Sequence, residues 1–238
     1  MNFDNAATRL HVILEKALEA DKNLNCYVVW QQLLEATDEE DSLSKLGAFM
    51  QLPGETARLV AAHHPSQVKS IERWRQPIVN GFKAMNLGGS WHTFSAYVDH
   101  AVVSQVGLIG ELLHTSVPIP VLKEDEIAGV IEKLNASMAA VKDGNFSAAL
   151  KRYVVGELHA LIQAFRNYRV SGAVPVLRQV EAMNFHVAVD SEYKSFLTDT
   201  MVGRRVLDSL NAAAALLTIV SSGYASIELA GKLLLATG

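Results

Sequence analysis

Apolar residues recur at steps of three and four along almost the whole chain, and this spacing limits the folds open to it. In residues 4–20 the apolar positions line one face of a helix, and most later segments repeat the pattern. Residues 26–30 and 185–189 are instead rich in β-branched and aromatic residues, yet two isolated strands do not make a stable sheet. We therefore predict an all-α, multi-helix bundle of about nine or ten helices.

Proline and glycine divide this pattern into segments. A helix is expected to open at Thr37, whose S/T-x-x-E sequence favours a capping box, and to end by Pro53-Gly54. Pro77 predicts a kink or break within residues 66–86. Acidic residues 124–126 mark the start of a later helix, for which Gly144 is the expected end.

The composition is that of a folded chain: 50% of the 238 residues are apolar and 19% are charged. The proline-rich stretch 117–121 is the best candidate for a boundary. We expect an N-terminal helical lobe over residues 1–117 and a C-terminal lobe over residues 118–238. One continuous domain is the alternative.

Net charge and cysteine content limit the expected ligands and the expected cellular location. The net charge is −4, without the basic excess that nucleic-acid binding needs, so nucleic acid is not expected as the main ligand. Cys26 is the only cysteine, and no apolar run follows a basic start, so we expect a cytoplasmic protein. No phosphate-binding glycine motif occurs, and no cofactor is expected.

One part of the second half resembles a known group of proteins. The run from Pro118-Ile119-Pro120 through Asp125-Glu126-Ile127 to LKRYVVGELHALIQAFRNYRVSG, which covers residues 150–172, is similar to uncharacterised helical bacterial proteins. The resemblance covers under a quarter of the chain. It implies a bacterial or phage origin and a helical fold, and it carries no residue role.

Two patterns could carry chemistry. Glu111 and His114 would share a helix face, which is compatible with a metal site without being specific for one, so no metal is expected. Helical ribonucleases of the HEPN type carry an arginine and a histidine separated by four to six residues. Arg58 with His63 and Arg152 with His159 fit that spacing, although Leu59 and Tyr153 stand where the family usually has a polar residue.

The C-terminal region contains nineteen consecutive uncharged residues, 209–227, which is about the length of a membrane span. Seven of them are Ser, Asn, Thr or Gly, so the segment would insert poorly. We expect an apolar helical hairpin in the core of the bundle, with a break at Gly223. Docking onto a partner, or membrane insertion through residues 209–235, is the alternative. The apolar residues concerned are Leu216, Leu217, Ile219, Val220, Ile227, Leu233 and Leu234.

Together these observations favour a non-enzymatic protein that acts through protein–protein interaction, as an adaptor or assembly subunit, with a protein partner or a second copy of itself. This interpretation requires an exposed apolar patch. Burial of Trp30, Trp74, Trp91 and the C-terminal leucines, with no patch remaining, would count against it. The alternatives are a membrane-acting effector that releases its C-terminal helix, with some of the protein then membrane-associated, and a HEPN-like ribonuclease. Whether the protein is an enzyme is left open, and the sequence favours a protein without enzymatic activity.

Overall fold

A computed structural model describes residues 3–116 and 120–221, with the side chains of residues 219–221 left out of the account. It confirms the all-α prediction: over these residues the chain forms twelve α-helices, one 3-10 helix (Pro65–Ser70) and no β-strand. The α-helices are α1 (Ala6–Glu19), α2 (Cys26–Leu33), α3 (Glu39–His63), α4 (Ile71–Ala84), α5 (His92–Ser95), α6 (His100–Ser116), α7 (Glu124–Asp143), α8 (Ala148–Arg166), α9 (Tyr168–Ser171), α10 (Ala173–Val189), α11 (Ser191–Asp199) and α12 (Met201–Ser221).

The number of helices exceeds the expected nine or ten because two of them are very short. Helices α5 and α9 have four residues each, too few for an apolar period to be visible. The strand-like stretch 26–30 lies in α2, which Asn25 caps by accepting a hydrogen bond from the Val28 N–H. The strand-like stretch 185–189 is the last turn of α10.

The expected helix end at Pro53-Gly54 was wrong, because α3 continues through Pro53 to His63. Helix α4 also continues through Pro77, so of the kink or break expected there, the break does not occur. Proline removes one helical hydrogen bond, a cost of about 3 kcal/mol. In α3 the buried residues on both sides of the proline, Phe49, Leu52 and Val60, offset this cost. The cap also lies one residue later than expected, because Asp38 accepts the hydrogen bond from the Asp41 N–H.

The chain forms two compact units. Unit 1 comprises Met1–Pro118 with Arg169–Ser171, and unit 2 comprises Ile119–Tyr168 with Gly172–Gly238. The core of unit 1 is an aromatic cluster in which the Trp30 ring contacts four others, those of Phe49, Phe82, Trp91 and Phe94. Helices α1 and α6 pack closely there, since a Cβ added at Gly110 would lie 2.9 Å from Thr8 Oγ1.

Unit 2 is an antiparallel bundle of α7, α8, α10 and α12. Helices α7 and α8 are joined by a short turn, across which Lys151 Nζ donates to the Lys142 carbonyl at 2.8 Å. Helix α10 runs back along α8, so that Gln179 bonds Glu157 and His186 lies against Tyr153. Each helix buries a stripe of aliphatic residues, which in α8 includes Leu150, Val154, Leu158 and Leu161.

Helix α12 closes the bundle against α7. Ser209 lies between the two helices and contacts the Ser137 hydroxyl at 2.8 Å and the Lys133 carbonyl at 3.3 Å. At the start of α12, Gly203 lies directly on the end of α11: an added Cβ would stand 1.8 Å from the Phe196 carbonyl oxygen. The Phe196 ring in turn packs edge-on against the ring of Phe146 in the α7–α8 turn, with the ring centres 5.0 Å apart. Helix α12 therefore begins where α7 ends.

Candidate functional site: the outer face of α10

Helix α10 carries large apolar residues on two opposite faces. One face carries Val176, Val180 and Met183, which are buried in unit 2. The opposite face, here called the α10 outer face, consists of five exposed residues at helical spacing: Arg178, Glu181, Ala182, Phe185 and Val189. Phe185 is 70% exposed and Val189 is 65% exposed. One turn apart, they form a continuous apolar surface at the end of the helix.

A ring stack next to this face fixes its orientation. The His186 imidazole lies nearly parallel to the Tyr153 ring, with the ring centres 3.8 Å apart, and its Nε2 atom lies 3.2 Å from Asp190 Oδ2. Because His186 is held against α8, the neighbouring Phe185 side chain is directed to solvent. Asp190 also caps α11, where the Tyr193 N–H donates to it, and this bond is the main reason that the pKa of its carboxyl is lowered.

Tyr193 lies beneath the stack and is fully buried. Its ring meets Tyr153 edge-on at 5.2 Å, and no described group bonds its hydroxyl. Burial raises the pKa of both tyrosines well above the ordinary value, and the negative charge of Glu157 adds to the shift in each. The two phenols are therefore neutral at neutral pH, and their rings pack with His186 at the end of α10.

The α10 outer face was not identified from the sequence. Residues 185–189 alternate as a strand would, which hid the helical spacing of Ala182, Phe185 and Val189. A helical projection of residues 173–189 shows them opposite Val176, Val180 and Met183. Two apolar faces on one helix are the signal that could have revealed the site.

The tryptophans offer no docking surface, because Trp30, Trp74 and Trp91 are all buried in unit 1. Cys26 is buried there as well, and burial raises the pKa of its thiol. An exposed apolar surface nevertheless remains, on α10. Leu108 of α6 is about equally exposed, at 66%, and supplies a comparison residue in unit 1.

The residues of the ribonuclease pattern are all exposed. Arg58 and His63 lie on α3, where their spacing puts them about 140° apart around the helix. Arg152 and His159 share one face of α8, and His159 Nε2 lies 3.5 Å from Gln163 Nε2. No hydrogen bond joins the arginine to the histidine in either pair among the described residues.

Glu111 and His114 lie on α6. Glu111 is exposed, whereas His114 stacks on Phe3 with the ring centres 4.1 Å apart. Within residues 3–116 and 120–221 no group of three or more His, Cys, Asp or Glu side chains could hold a metal ion.

The C-terminal apolar residues fall into two sets. Leu216 is half-buried and Leu217 is buried on α12, in line with the buried Val206, Leu210 and Ala213. Ile219 and Val220 belong to α12, but their side chains are not described. The expected hairpin, the break at Gly223 and residues Ile227, Leu233 and Leu234 lie outside the described residues.

None of the helices in the described part of the chain has both the length and the apolar character needed to span a membrane. In comparisons with known proteins, no family model, no curated protein and no solved structure matches the chain.

Proposed function

We propose that the protein is a non-enzymatic interaction module, an adaptor or assembly subunit, that binds the apolar face of a partner protein's helix on the α10 outer face. The observation that carries the proposal is the exposure of Phe185 and Val189, one turn apart on a helix whose other face is already in the core. Contiguous apolar surface of this kind marks interaction sites.

The surface has the properties of a small anchor site. Covering a phenylalanine or valine side chain is worth on the order of 2 kcal/mol, so this pair supplies a useful part of a binding free energy. Arg178 and Glu181, on the preceding turns of the same face, would fix the direction of the partner helix by charge. The Tyr153–His186 stack holds α10 in place, which lowers the ordering cost of binding.

Photo-crosslinking tests the proposal. A photoreactive phenylalanine analogue replaces Val189 in the full-length chain within its native cells, and a second chain carries the analogue at Leu108. We expect a discrete protein adduct from position 189 that is absent from position 108 and is lost when Phe185→Glu is added. Identical adduct patterns at the two positions, or no adduct at position 189, would reject the proposal.

The two other functions stay predictions with tests of their own. For a HEPN-like ribonuclease, replacing Arg58 and His63 abolishes RNA cleavage without unfolding the protein. For a membrane-acting effector, the full-length protein floats with liposomes, whereas a folded chain that ends at Leu207 does not. The burial of Leu210, Ala213 and Leu217 leads us to expect that this truncation unfolds unit 2.

A further inference from the structure

One side of helix α3 is left uncovered in unit 1. The buried residues of this helix, such as Phe49 and Val60, lie on one side, and the opposite side is accessible to solvent along five turns. We call this side the α3 outer face, which consists of Glu40, Leu43, Gly47, Met50, Gly54 and Arg58. Leu43 is 48% exposed and Met50 is 41% exposed, so apolar side chains face solvent in the middle of the α3 outer face.

The two ends of the α3 outer face carry opposite charges. Glu40 and Arg58 are both exposed, and because they are five whole turns apart they project in the same direction, about 27 Å from each other along the helix. Among the residues that the structure describes, neither forms an ion pair with another side chain. A face that is negative at one end and positive at the other is complementary to an identical face that runs in the opposite direction.

An antiparallel pair of α3 helices would use this complementarity twice. With a two-fold axis at the level of residue 49, Glu40 of each copy lies opposite Arg58 of the other copy, because both residues are nine positions from the axis. A parallel pair would instead set Glu40 against Glu40 and Arg58 against Arg58. The charge order therefore favours the antiparallel arrangement.

The same register gives the exposed apolar side chains a place to pack. Leu43 lies within one residue of the level of Gly54 in the second copy, where an added Cβ would meet only Arg58 Nη1, at 3.9 Å. Met50 lies next to the two-fold axis, within one residue of the level of Gly47 in the second copy, and nothing stands within 4 Å of a Cβ added at that glycine. The two glycines thus leave room for close approach of the helices.

From this self-complementary pattern we propose that the α3 outer face binds a second copy of the chain, with the two α3 helices antiparallel about a two-fold axis. Leu43 and Met50 form the apolar centre of the contact, and an ion pair between Glu40 and Arg58 closes each end. The inference goes beyond docking at α10, because it concerns a surface of unit 1 and holds whether or not the α10 outer face has a partner.

Charge reversal in the full-length chain tests the pairing. In the Glu40→Arg chain both ends of the contact become pairs of positive charges, and in the Arg58→Glu chain both become pairs of negative charges. We expect each chain alone to dimerise at least tenfold more weakly than the parent in analytical ultracentrifugation. An equimolar mixture of the two has opposite charges at both ends, so it should form a one-to-one heterodimer with an affinity within about threefold of the parent. Since an unfolded chain would not pair, the mixture also controls for folding.

A second variant tests the apolar centre. Met50→Glu is expected to weaken dimerisation at least tenfold, because it brings two negative charges together near the two-fold axis. Leu108→Glu and Glu111→Arg, at exposed positions of α6, are the matched controls and should leave dimerisation within twofold. A pure parent chain that remains monomeric up to about 100 μM would leave this face to another protein and overturn the proposal. Reversal chains that dimerise as the parent does, or a mixture that pairs no better than either chain alone, would also overturn it.

Discussion

The imidazole of His186 stacks on the phenol ring of Tyr153 at 3.8 Å, and this contact holds the end of α10 against α8. The contact also helps to set which side of α10 faces solvent. Met183 and Phe185 lie on nearly opposite sides of the helix, so that Phe185 is exposed when Met183 is buried. Packing inside unit 2 thereby produces the exposed surface that we assign to docking.

Removing the stack should loosen α10. We expect His186→Ala to lower the free energy of opening of this helix by about 1 kcal/mol, the value of one aromatic pair, so that hydrogen exchange of its amides becomes about fivefold faster. His159→Ala, at an exposed position of α8, is the control and should change exchange little. Unchanged α10 exchange in the His186 variant would show that the stack does not support the helix.

Tyr193 should make unit 2 sensitive to alkali. Because its folded-state pKa is raised, the stabilising contribution is complete below the unfolded pKa of about 10 and is lost as pH rises toward the folded value. Tyr193→Phe should flatten this loss in urea titrations repeated above pH 9, whereas Tyr97→Phe, at an exposed position, should not. A Tyr193→Phe chain with the same alkaline loss as the parent would contradict the assignment.

Two glycines give opposite predictions for the same substitution. Gly203→Ala should destabilise unit 2 by about 3 kcal/mol or more, because the added methyl group meets the Phe196 carbonyl. Gly156→Ala should stabilise α8 by up to about 1 kcal/mol, since its Cβ meets open space and alanine is the better helix former. Thermal unfolding of both variants checks the pair, and a tolerated Gly203→Ala would contradict the close approach of α11 and α12.

The rate of thiol labelling at Cys26 should measure how often unit 1 opens. Its side chain is buried and its thiol pKa is raised, so it should react with Ellman's reagent at the rate at which unit 1 opens. We expect almost no reaction in native buffer and full reaction of one thiol per chain in denaturant. Rapid native reaction would show that the N-terminal turn of α2 is accessible.

Local sequence signals predicted the elements that depend on local physics. The acidic start at residues 124–126 and Gly144 gave α7 to within one residue, since caps and helix dipoles act over one turn. Pro53 could not be interpreted in this way, because the burial that carries α3 through it comes from distant residues. Phe185 was missed for the same reason: its exposure depends on where His186 and Tyr153 meet, a contact between residues 33 positions apart.

The docking claim is tested most directly by measuring how tightly the partner protein binds three chains: the parent, Phe185→Ser and Leu108→Ser. The partner is first identified by cross-linking and is then purified in its unmodified form. We expect Phe185→Ser to weaken binding at least tenfold, which corresponds to about 1.4 kcal/mol, and Leu108→Ser to leave it within twofold. Calorimetric titration provides the measurement, with circular dichroism to confirm that both variants are folded. Equal affinity of the Phe185→Ser and parent chains would contradict the assignment of the α10 outer face as the binding site.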